Sequence, residues 1–478
     1  MIALSLGEIS SIVDGRLADA DAGTLVTGPV EFDSRQVAAG GLFFAFAGER
    51  VDGHDFASDA YARGAVAAVV SRPVSGPRIE VADTGAALAR LAAVVARRLP
   101  NAVVIGITGS SGKTSTKDLL AQLLARLGNT VAPPGSFNNE LGHPYTVLRA
   151  DESTRYLVLE TSARGIGHIR WLTEIAPPRI GVVLNVGSAH LGEFGSREAI
   201  AAAKGELVEA LPSAADGGVA VLNADDPVVF AMRTRTKARV VTFGESHDAV
   251  VRADEVMLDD LGRAHFRLRC EQGTAGVALR LVGAHHVSNA LAAAAVAIEC
   301  GMSVAVVADA PSSATAVSRW RMEPVERADG VLVLNDAYNA NPESMRAALQ
   351  TLASLHRARR GTGARSFAVL GQMAELGASS PDEHDAIGRL AVRLDISRIV
   401  AVGEAARPIQ HGAALEGSGD GEASWVPDVD AAVALLRNEL RPGDVVLVKA
   451  SRAASLERVA LAIADDSSQP DETGGRGA

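Results

Sequence analysis

The stretch Ile105–Leu120, reading IGITGSSGKTSTKDLL, constrains the fold more than any other part of this chain. A β-branched apolar run leads into a glycine-rich turn, and the turn leads into a helical pattern. Strand, turn and helix in this order can direct backbone N–H groups and the positive end of a helix dipole at a polyphosphate. The spacing predicts that Lys113 reaches the β- and γ-phosphates of a nucleotide and that the Thr114 hydroxyl ligates Mg²⁺.

This predicted phosphate loop is tighter than the usual one. The usual loop has four residues between its first glycine and the Gly-Lys pair. In this chain the position of that first glycine is occupied by Ile107. A glycine-rich strand-to-helix turn without a ligand is the alternative interpretation. The predicted loop consists of Gly109, Ser110, Ser111, Gly112, Lys113, Thr114 and Ser115.

The length of 478 residues indicates about three domains. We expect them at 1–100, 101–314 and 315–464, followed by a disordered tail at 465–478 that lacks large apolar residues. The formal net charge of −11 argues against nucleic acid as the main partner. Small anionic substrates remain compatible with it where local cations and Mg²⁺ offset the charge.

Two cysteines, Cys270 and Cys300, are too few for a disulfide framework or a cysteine metal site. The amino terminus has no basic segment before its short apolar run, so we expect no secretory signal. No apolar run approaches the ~18 residues of a membrane-spanning helix. These features predict a cytoplasmic protein without membrane insertion.

The central segment alternates apolar strands with helical patterns, which predicts a largely parallel sheet with helices on both faces. Its predicted strands are 103–108, 156–161, 180–186, 219–223 and 240–243. Ligands of such sheets lie beyond the carboxyl ends of the strands. Glu160 and His190 occupy these positions, so joint Mg²⁺ coordination with Thr114 is predicted, although imidazole is a less usual Mg²⁺ ligand than oxygen. Taken singly, either residue could be a surface side chain.

The third segment predicts a smaller Rossmann-like domain with strands at 330–334, 366–370, 398–402 and 444–448. Asp336 follows the first of these strands, where a carboxylate can bind ribose hydroxyls, but the neighbouring asparagines are also typical turn formers and caps. The first segment predicts a small α/β domain, and its Asp52-Gly53-His54 is a common turn signal. On pattern alone, Lys204 is a solvent-facing lysine of a helix.

Several motifs in this order resemble the ATP-dependent Mur ligases of bacterial cell-wall synthesis. They are GSSGKTS, AKGEL around Lys204, the loop at His285, RME at 321–323 and LND at 334–336. Three further motifs, at 135–148, 335–345 and 370–377 followed by His384, resemble the branch that adds a D-alanyl-D-alanine dipeptide. The resemblance implies an N-terminal UDP-sugar domain, a central ATPase domain and a C-terminal domain that closes over the site.

The resemblance also implies roles for individual residues. Thr114, Glu160 and His190 would bind Mg²⁺, and Lys204 would take up CO₂ as a carbamate able to hold a second Mg²⁺. His285 and Asn289 would lie near adenine, Asp336 would bind ribose, and Arg321 would face the phosphates. The implied substrate contacts are Asp33, Ser34, Arg35, Gly53, His54, Asn138, Asn139, Ser162, Asn339, Lys449, Ser451 and Arg452.

Three positions depart from the family pattern, and they lie in the adenine and substrate regions rather than in the phosphate loop. His286 replaces a common asparagine, Asn335 replaces an acidic residue, and Thr161-Ser162 replaces Met-Gly.

The implied reaction uses ATP and Mg²⁺ to convert the carboxylate of UDP-N-acetylmuramoyl-tripeptide to an acyl phosphate, which the amine of D-Ala-D-Ala then attacks. A monomer is expected, and the third residue of the tripeptide, diaminopimelate or lysine, is left open. The alternatives are a sister ligase that adds a single amino acid or extends folate with glutamate, a P-loop switch or motor, and an inactive scaffold.

Overall fold

The computed structural model describes residues 1–48, 51–187, 191–313, 318–418 and 422–465. The chain forms two compact units. The first comprises Met1–Val186, Ala201–Arg252 and Leu291–Ser303, and the second comprises Gly187–Ile200, Ala253–Ala290 and Val304–Ala478. The three domain boundaries predicted above stay a prediction, and the predicted tail lies outside the described residues except for Asp465.

The first unit begins with a five-stranded sheet of order β2-β7-β6-β5-β4 and a short β1-β3 pair. Its strands are β1 Leu4–Ser5, β2 Arg16–Ala18, β3 Leu25–Val26, β4 Val30–Glu31, β5 Gly41–Phe44, β6 Ala65–Val70 and β7 Arg78–Glu80. Its helices are α1 Leu6–Ile12, α2 Ala57–Ala62 and α3 Thr84–Arg97. Apolar side chains of α3 and of this sheet share one core with Val147 and Leu148, which ties the N-terminal sheet to the segment that follows the phosphate loop.

A parallel sheet of order β9-β10-β8-β11-β12-β13 forms the rest of the first unit. Its strands are β8 Val103–Thr108, β9 Thr130–Val131, β10 Tyr156–Glu160, β11 Ile180–Val183, β12 Val219–Asn223 and β13 Arg239–Gly244. The connecting helices are α4 Lys113–Leu124, α5 Gly142–Val147, α6 His168–Ile175, α7 Leu191–Phe194, α8 Arg197–Glu209 and α9 Pro227–Ala231, of which α7 and the start of α8 belong to the second unit. The strands are mostly apolar, with polar residues mainly near their ends, because helices cover both faces of such a sheet. This confirms the predicted parallel α/β architecture.

The second unit contains a hairpin and a six-stranded sheet of order β17-β18-β22-β19-β20-β21, parallel except for β17. The strands are β14 Val251–Leu258, β15 Arg263–Cys270, β16 Gly273–Val282, β17 Glu323–Glu326, β18 Leu332–Asp336, β19 Ser366–Leu370, β20 Arg398–Val402, β21 Ala423–Val426 and β22 Val445–Lys449. The helices are α10 His286–Glu299, α11 Val304–Ser313, α12 Pro342–Arg359, α13 Ser380–Arg393, α14 Arg407–Glu416, α15 Val429–Glu439 and α16 Glu457–Ala464, with most of α10 assigned to the first unit.

The register of the second sheet explains why its polar residues meet. Asp336 at the end of β18 pairs with Lys449 at the end of β22, and Lys449 pairs in turn with Leu370 at the end of β19. The carboxyl ends of three adjacent parallel strands therefore lie side by side, which is where ligands bind in this architecture. Over the described residues, no helix has both the length and the apolar character needed to cross a bilayer.

Candidate active site

The phosphate loop connects β8 to α4, as predicted. Gly112 precedes the helix with φ +81°, a left-handed conformation that strains any residue with a Cβ. A Cβ at Gly109 would lie 2.9 Å from Leu184 Cβ, so glycine lets the loop approach the neighbouring strand. Lys113 Nζ donates a hydrogen bond to the Gly109 carbonyl at 2.5 Å, which closes the loop on itself and sets the lysine at its centre.

Asn185, at the carboxyl end of the neighbouring strand, fixes the loop from outside. Its side-chain oxygen accepts the Ser111 N–H at 2.9 Å, its amide donates to the Ser111 carbonyl at 3.2 Å, and its backbone carbonyl accepts the Ser110 N–H at 3.1 Å. The sequence analysis missed this residue, although its place at the end of an apolar strand was a usable signal. Ser115 lies half-buried in the first turn of α4.

Thr114 and Glu160 meet at the carboxyl ends of β8 and β10. Both are buried, and the Thr114 hydroxyl lies 3.4 Å from Glu160 Oε2. Ser136 Oγ is 2.8 Å from the same hydroxyl, and the Asn138 amide donates to Glu160 Oε2 at 3.4 Å. Hard oxygen donors therefore collect directly behind the phosphate loop, as the sequence predicted for two of them.

Lys204 lies on α8 and is buried, with only 4% of its surface exposed. The pattern-based expectation of a solvent-facing lysine is therefore wrong. Burial, and after it the positive charge of Lys113, lowers the pKa of the Lys204 amine well below its usual value. Within the ranges the structure covers, no hydrogen bond or ion pair to Lys204 Nζ is recorded. A lowered pKa increases the fraction of this amine that is neutral, and the neutral amine is the nucleophilic form.

Lys117 is a third lysine near the predicted phosphate loop, and the sequence analysis did not identify it. It lies one helical turn after Lys113, is 2% exposed, and donates to the carbonyls of Pro133 at 2.9 Å and Gly135 at 3.1 Å. Asp118 lies 2.5 Å away and balances its charge. Lys117 thus ties the helix of the phosphate loop to the segment that carries Ser136 and Asn138.

The predicted substrate-side residues of the central segment are close together. The Ser162 N–H donates to the Asn138 carbonyl at 3.0 Å. The Asn139 side chain accepts the Gly142 N–H at 2.9 Å and so caps a turn. These contacts leave the Asn138 amide as the group directed at Glu160, whereas the side chain of Asn139 is used within its own loop.

The predicted uridine-nucleotide residues lie in two short turns of the N-terminal sheet. The Asp33 carboxylate binds the guanidinium of Arg35 at 2.8 Å, and this hydrogen bond holds the pKa of Asp33 at about 2. His54 is buried, with Nδ1 2.5 Å from Asp52 and Nε2 accepting the Ser71 N–H at 2.9 Å. Both nitrogens of His54 are thus engaged within the domain, so a uridine contact at 53–54 would use the backbone.

The carboxyl ends of the second sheet carry a buried ion pair. Lys449 Nζ lies 2.6 Å from Asp336 Oδ2 and donates to the Asn339 carbonyl at 2.9 Å, while Asp336 Oδ1 accepts the Met322 N–H at 3.1 Å. Ser451 Oγ accepts the Ala374 N–H at 2.9 Å. The structure therefore brings together four residues that the sequence placed in one region, Asp336, Asn339, Lys449 and Ser451.

Arg321 stands in a strained segment of the second unit. Its neighbours Trp320 and Met322 have φ of +60° and +51°, a conformation that costs a residue with a side chain roughly 1 kcal/mol or more. The Arg321 guanidinium lies 4.4 Å from the centroid of the Tyr338 ring, and that of Arg452 lies 4.4 Å from the Trp320 ring. Strain of this kind persists where surrounding contacts fix a functional side chain.

His285 and His286 form a close ring pair, with centroids 4.2 Å apart. Burial lowers the pKa of His285 to about 4, and burial likewise lowers the pKa of His286. The Asn289 amide lies 3.4 Å from His286 Nδ1. Neutral, flat and partly apolar groups of this kind can pack against an aromatic ring, and their contact with adenine stays a prediction.

The remaining predicted metal ligand, His190, lies outside the described residues. Among the residues that are described, no three His, Cys, Asp or Glu side chains converge as a metal cluster. The oxygen donors Thr114 and Glu160 and the nearby basic loop can instead bind a cation together with the phosphates that share it.

This chain belongs to the Mur ligase family. Three family models match it: the Mur ligase family catalytic domain at residues 29–96, the Mur ligase middle domain at 107–297 and the Mur ligase glutamate ligase domain at 320–452.

Curated relatives that match nearly the whole chain include UDP-N-acetylmuramoyl-tripeptide–D-alanyl-D-alanine ligases. The UDP-N-acetylmuramoyl-tripeptide–D-alanyl-D-alanine ligase of Mycobacterium tuberculosis is 54% identical over 98% of this chain and 99% of its own length, and that of Escherichia coli is 36% identical over the same shares. A crystal structure of MurF from Acinetobacter baumannii has a TM-score of 0.85 at 32% identity, covering 97% of this chain and 99% of its own. MurF from Thermotoga maritima in complex with ADP has a TM-score of 0.77 at 29% identity, covering 92% and 98%.

Proposed function

We propose that this protein joins D-alanyl-D-alanine to the terminal carboxylate of UDP-N-acetylmuramoyl-tripeptide, with cleavage of ATP to ADP and phosphate. The observation that carries the proposal is the phosphate loop with the buried Thr114–Glu160 pair directly behind it. The near full-length similarity to ligases of that name supports the choice of substrates. Because ATP and a UDP-sugar are its substrates, we place the enzyme in the cytoplasm, and we expect a monomer.

The residues present fit Mg²⁺, since the Thr114 hydroxyl and the Glu160 carboxylate are hard oxygen donors 3.4 Å apart. We assign both to the ion and keep His190 as the third ligand predicted from the sequence. When bound, Mg²⁺ supplies neutralisation of the negative charge that builds up on the transferred phosphoryl group.

Lys204 supports a further anionic ligand. A buried neutral amine can add to CO₂, so that an N–C bond forms and the amine proton leaves to solvent. The product is a carbamate, which replaces a cation by an anion. Burial, and after it the positive charge of Lys113, lowers the pKa of the Lys204 amine and so increases the neutral fraction that reacts with CO₂. The carbamate that forms is an anion, which the positive charge of Lys113 attracts.

Lys113 is the side chain we assign to the γ-phosphate. The Lys113 ammonium donates a hydrogen bond to the Gly109 carbonyl in the loop. When ATP binds, the negatively charged γ-phosphate would replace this neutral carbonyl as the acceptor. The tripeptide carboxylate then attacks the γ-phosphorus in line and ADP leaves. The amine of the dipeptide attacks the resulting acyl phosphate, an amide bond forms, and phosphate leaves.

Exclusion of water is the remaining requirement, because an acyl phosphate hydrolyses readily. Asn138 and Ser162, linked by a backbone hydrogen bond, would line the substrate side. From the second unit we assign Arg321 to the phosphates, Asp336 to ribose, and Lys449, Ser451 and Arg452 to the dipeptide, as the resemblance implies.

The test is a phosphate-release assay with UDP-N-acetylmuramoyl-tripeptide, ATP and one amine at a time. Both the diaminopimelate and the lysine form of the tripeptide are included. We expect release, and a product heavier by one dipeptide less water, with D-Ala-D-Ala only. Release with a single amino acid would identify a sister ligase, and release without the UDP-sugar would identify a P-loop hydrolase.

A further inference from the structure

A cavity of about 520 Å³ lies in the first unit at the edge of the parallel sheet where the strands begin. The first residues of five strands line it: Val103, Tyr156, Ile180, Val219 and Arg239. The phosphate loop follows the other end of β8, and six residues of strand separate Val103 from Gly109 by roughly 20 Å. The cavity is therefore distinct from the site described above.

Three arginines make the lining of this cavity positively charged. Arg155, Arg179 and Arg239 line it together with one carboxylate, Glu299, so its lining carries a formal excess of two positive charges. The whole chain, by contrast, has a formal net charge of −11. A positive concave site on an acidic protein concentrates small anions locally.

The hydrogen bonds of Arg155 and Arg179 leave some of their guanidinium donors available. Arg239 forms its ion pair with Glu299. Arg155 donates to the Leu127 carbonyl at 3.3 Å and Arg179 to the Gly217 carbonyl at 3.2 Å, and neither has a carboxylate partner within the described ranges. Each of these carbonyl bonds uses one N–H of a guanidinium that has five. Hydrogen bonding to nearby carbonyls therefore accounts for only part of the hydrogen-bonding capacity of Arg155 and Arg179.

Arg155 and Arg179 line the same cavity as the thiol of Cys300. Both lower the pKa of the same thiol, Cys300, against the larger effect of burial, which raises it to about 11. Cys300 directly follows α10, is partly buried and lines the cavity. Two guanidinium groups that line one cavity can both bind an anion held in it.

We propose that this cavity binds a small phosphate-bearing anion. Guanidinium forks match the oxygen geometry of phosphate, the excess charge of the lining suits a phosphate dianion, and the volume lies in the range of small-molecule sites. The proposal does not depend on the proposed ligase function, because no residue of the phosphate loop takes part.

Cys300 and Cys270 provide the test, since they are the two thiols of the chain and Cys270 does not line the cavity. The full-length Lys113→Ala variant, used to remove binding at the phosphate loop, is alkylated with iodoacetamide at pH 9, and mass spectrometry follows each thiol. The probes are inorganic phosphate and ribose 5-phosphate, compared with KCl at equal ionic strength. Protection by both probes identifies the phosphate group as the ligand, and protection by the ester alone identifies a phosphate monoester.

We expect at least fivefold slower alkylation of Cys300 with a probe and an unchanged rate at Cys270. The Arg155→Gln, Arg179→Gln double variant should lose the protection. Equal Cys300 rates with either probe and with KCl would overturn the proposal, and so would protection that survives in the double variant. The comparison of Cys300 alkylation with a probe and with KCl does not use the double variant. The test therefore remains decisive even if the double variant fails to fold.

Discussion

Lys113 starts α4 directly after a left-handed glycine, and its ammonium is held at the centre of the phosphate loop by the Gly109 carbonyl. We predict that Lys113→Ala lowers kcat at least about a hundredfold, because charge stabilisation at the transferred phosphoryl group is lost. The measurement is phosphate release with both co-substrates present. Lys237→Ala, at an exposed lysine, is the matched control and should keep full activity. Full activity of Lys113→Ala would refute the assignment.

Lys204 carries the second residue-scale prediction. A carbamate on its buried amine should appear as a ¹³C signal when the protein is prepared with ¹³C-bicarbonate, and the signal should be absent from Lys204→Ala. Activity of that variant should fall at least about a hundredfold and recover in part with added acetate, a small carboxylate able to occupy the vacated space. An unchanged ¹³C spectrum in Lys204→Ala, or unchanged activity, would contradict the prediction.

Single residues were predictable where a strand end determines their place. Thr114 and Glu160 were expected together because adjacent parallel strands end at one edge of a sheet, and they lie 3.4 Å apart. Lys117 and Ser136 were not expected, because their roles depend on how the segment at 133–138 folds back on α4. No short sequence motif predicts how that segment packs on α4. His54 shows the same limit, since both of its ring nitrogens serve its own turn.

At the scale of elements, Lys117 links α4 to the segment that follows β9. Lys117→Met keeps an apolar stem of similar length but removes both bonds to backbone carbonyls. We predict a loss of unfolding free energy of about 1–3 kcal/mol, the cost of leaving buried polar groups unpaired, and a decrease in kcat larger than the change in ATP affinity. Urea unfolding and nucleotide titration measure the two effects, with Lys237→Met as the control. A change below about 0.5 kcal/mol, the range of ordinary surface substitutions, would contradict the prediction.

His384 makes α13 sensitive to pH. Its Nε2 accepts the Met373 N–H at 2.9 Å while Nδ1 lies 2.6 Å from the Ser380 carbonyl, and burial lowers its pKa. The unfolded state therefore binds a proton at a higher pH than the folded state does. The contribution to stability is complete above about pH 6.5, the pKa of an unperturbed imidazole, and it is lost as the pH falls below that value.

The corresponding measurement uses the three tryptophans of the chain. In a Trp171→Phe background, fluorescence reports Trp320 and Trp425, which both belong to the second unit. We expect the urea midpoint of the second unit to be lower at pH 5 than at pH 7. The decrease should be smaller in the His384→Gln variant. His411→Gln, at an exposed histidine, should behave like the parent. An equal decrease of the urea midpoint with pH in His384→Gln and in the parent would refute the prediction.

Elements with uniform patterns were predicted well from the sequence. The strand expected at 103–108 is β8, and those expected at 366–370 and 398–402 are β19 and β20, because continuous apolar runs indicate strands buried on both faces. The strands β14–β16, of which β15 and β16 are antiparallel, were not predicted. Buried Ala264, Phe266 and Leu268 alternate with more exposed residues in β15, so a period of two was present in the sequence.

For the whole molecule, the order of motifs along the chain was more informative than any one of them. The phosphate loop alone is compatible with a switch, a motor or a ligase. Its combination with Lys204, the loop at 135–148 and the polar strand ends of the second sheet indicated a Mur ligase, and the family models confirm it. The grouping of Ala253–Ala290 with the C-terminal residues depends on long-range packing, which periodicity does not encode.

The most direct test of the account follows one oxygen atom through the whole reaction. UDP-N-acetylmuramoyl-tripeptide labelled with ¹⁸O in its terminal carboxylate is incubated with ATP, D-Ala-D-Ala and the enzyme, and the released phosphate is analysed by mass spectrometry. If the carboxylate attacks the γ-phosphate, each phosphate released carries one ¹⁸O from the tripeptide. Phosphate that contains no ¹⁸O would mean that water attacked ATP, and it would contradict the acyl-phosphate mechanism.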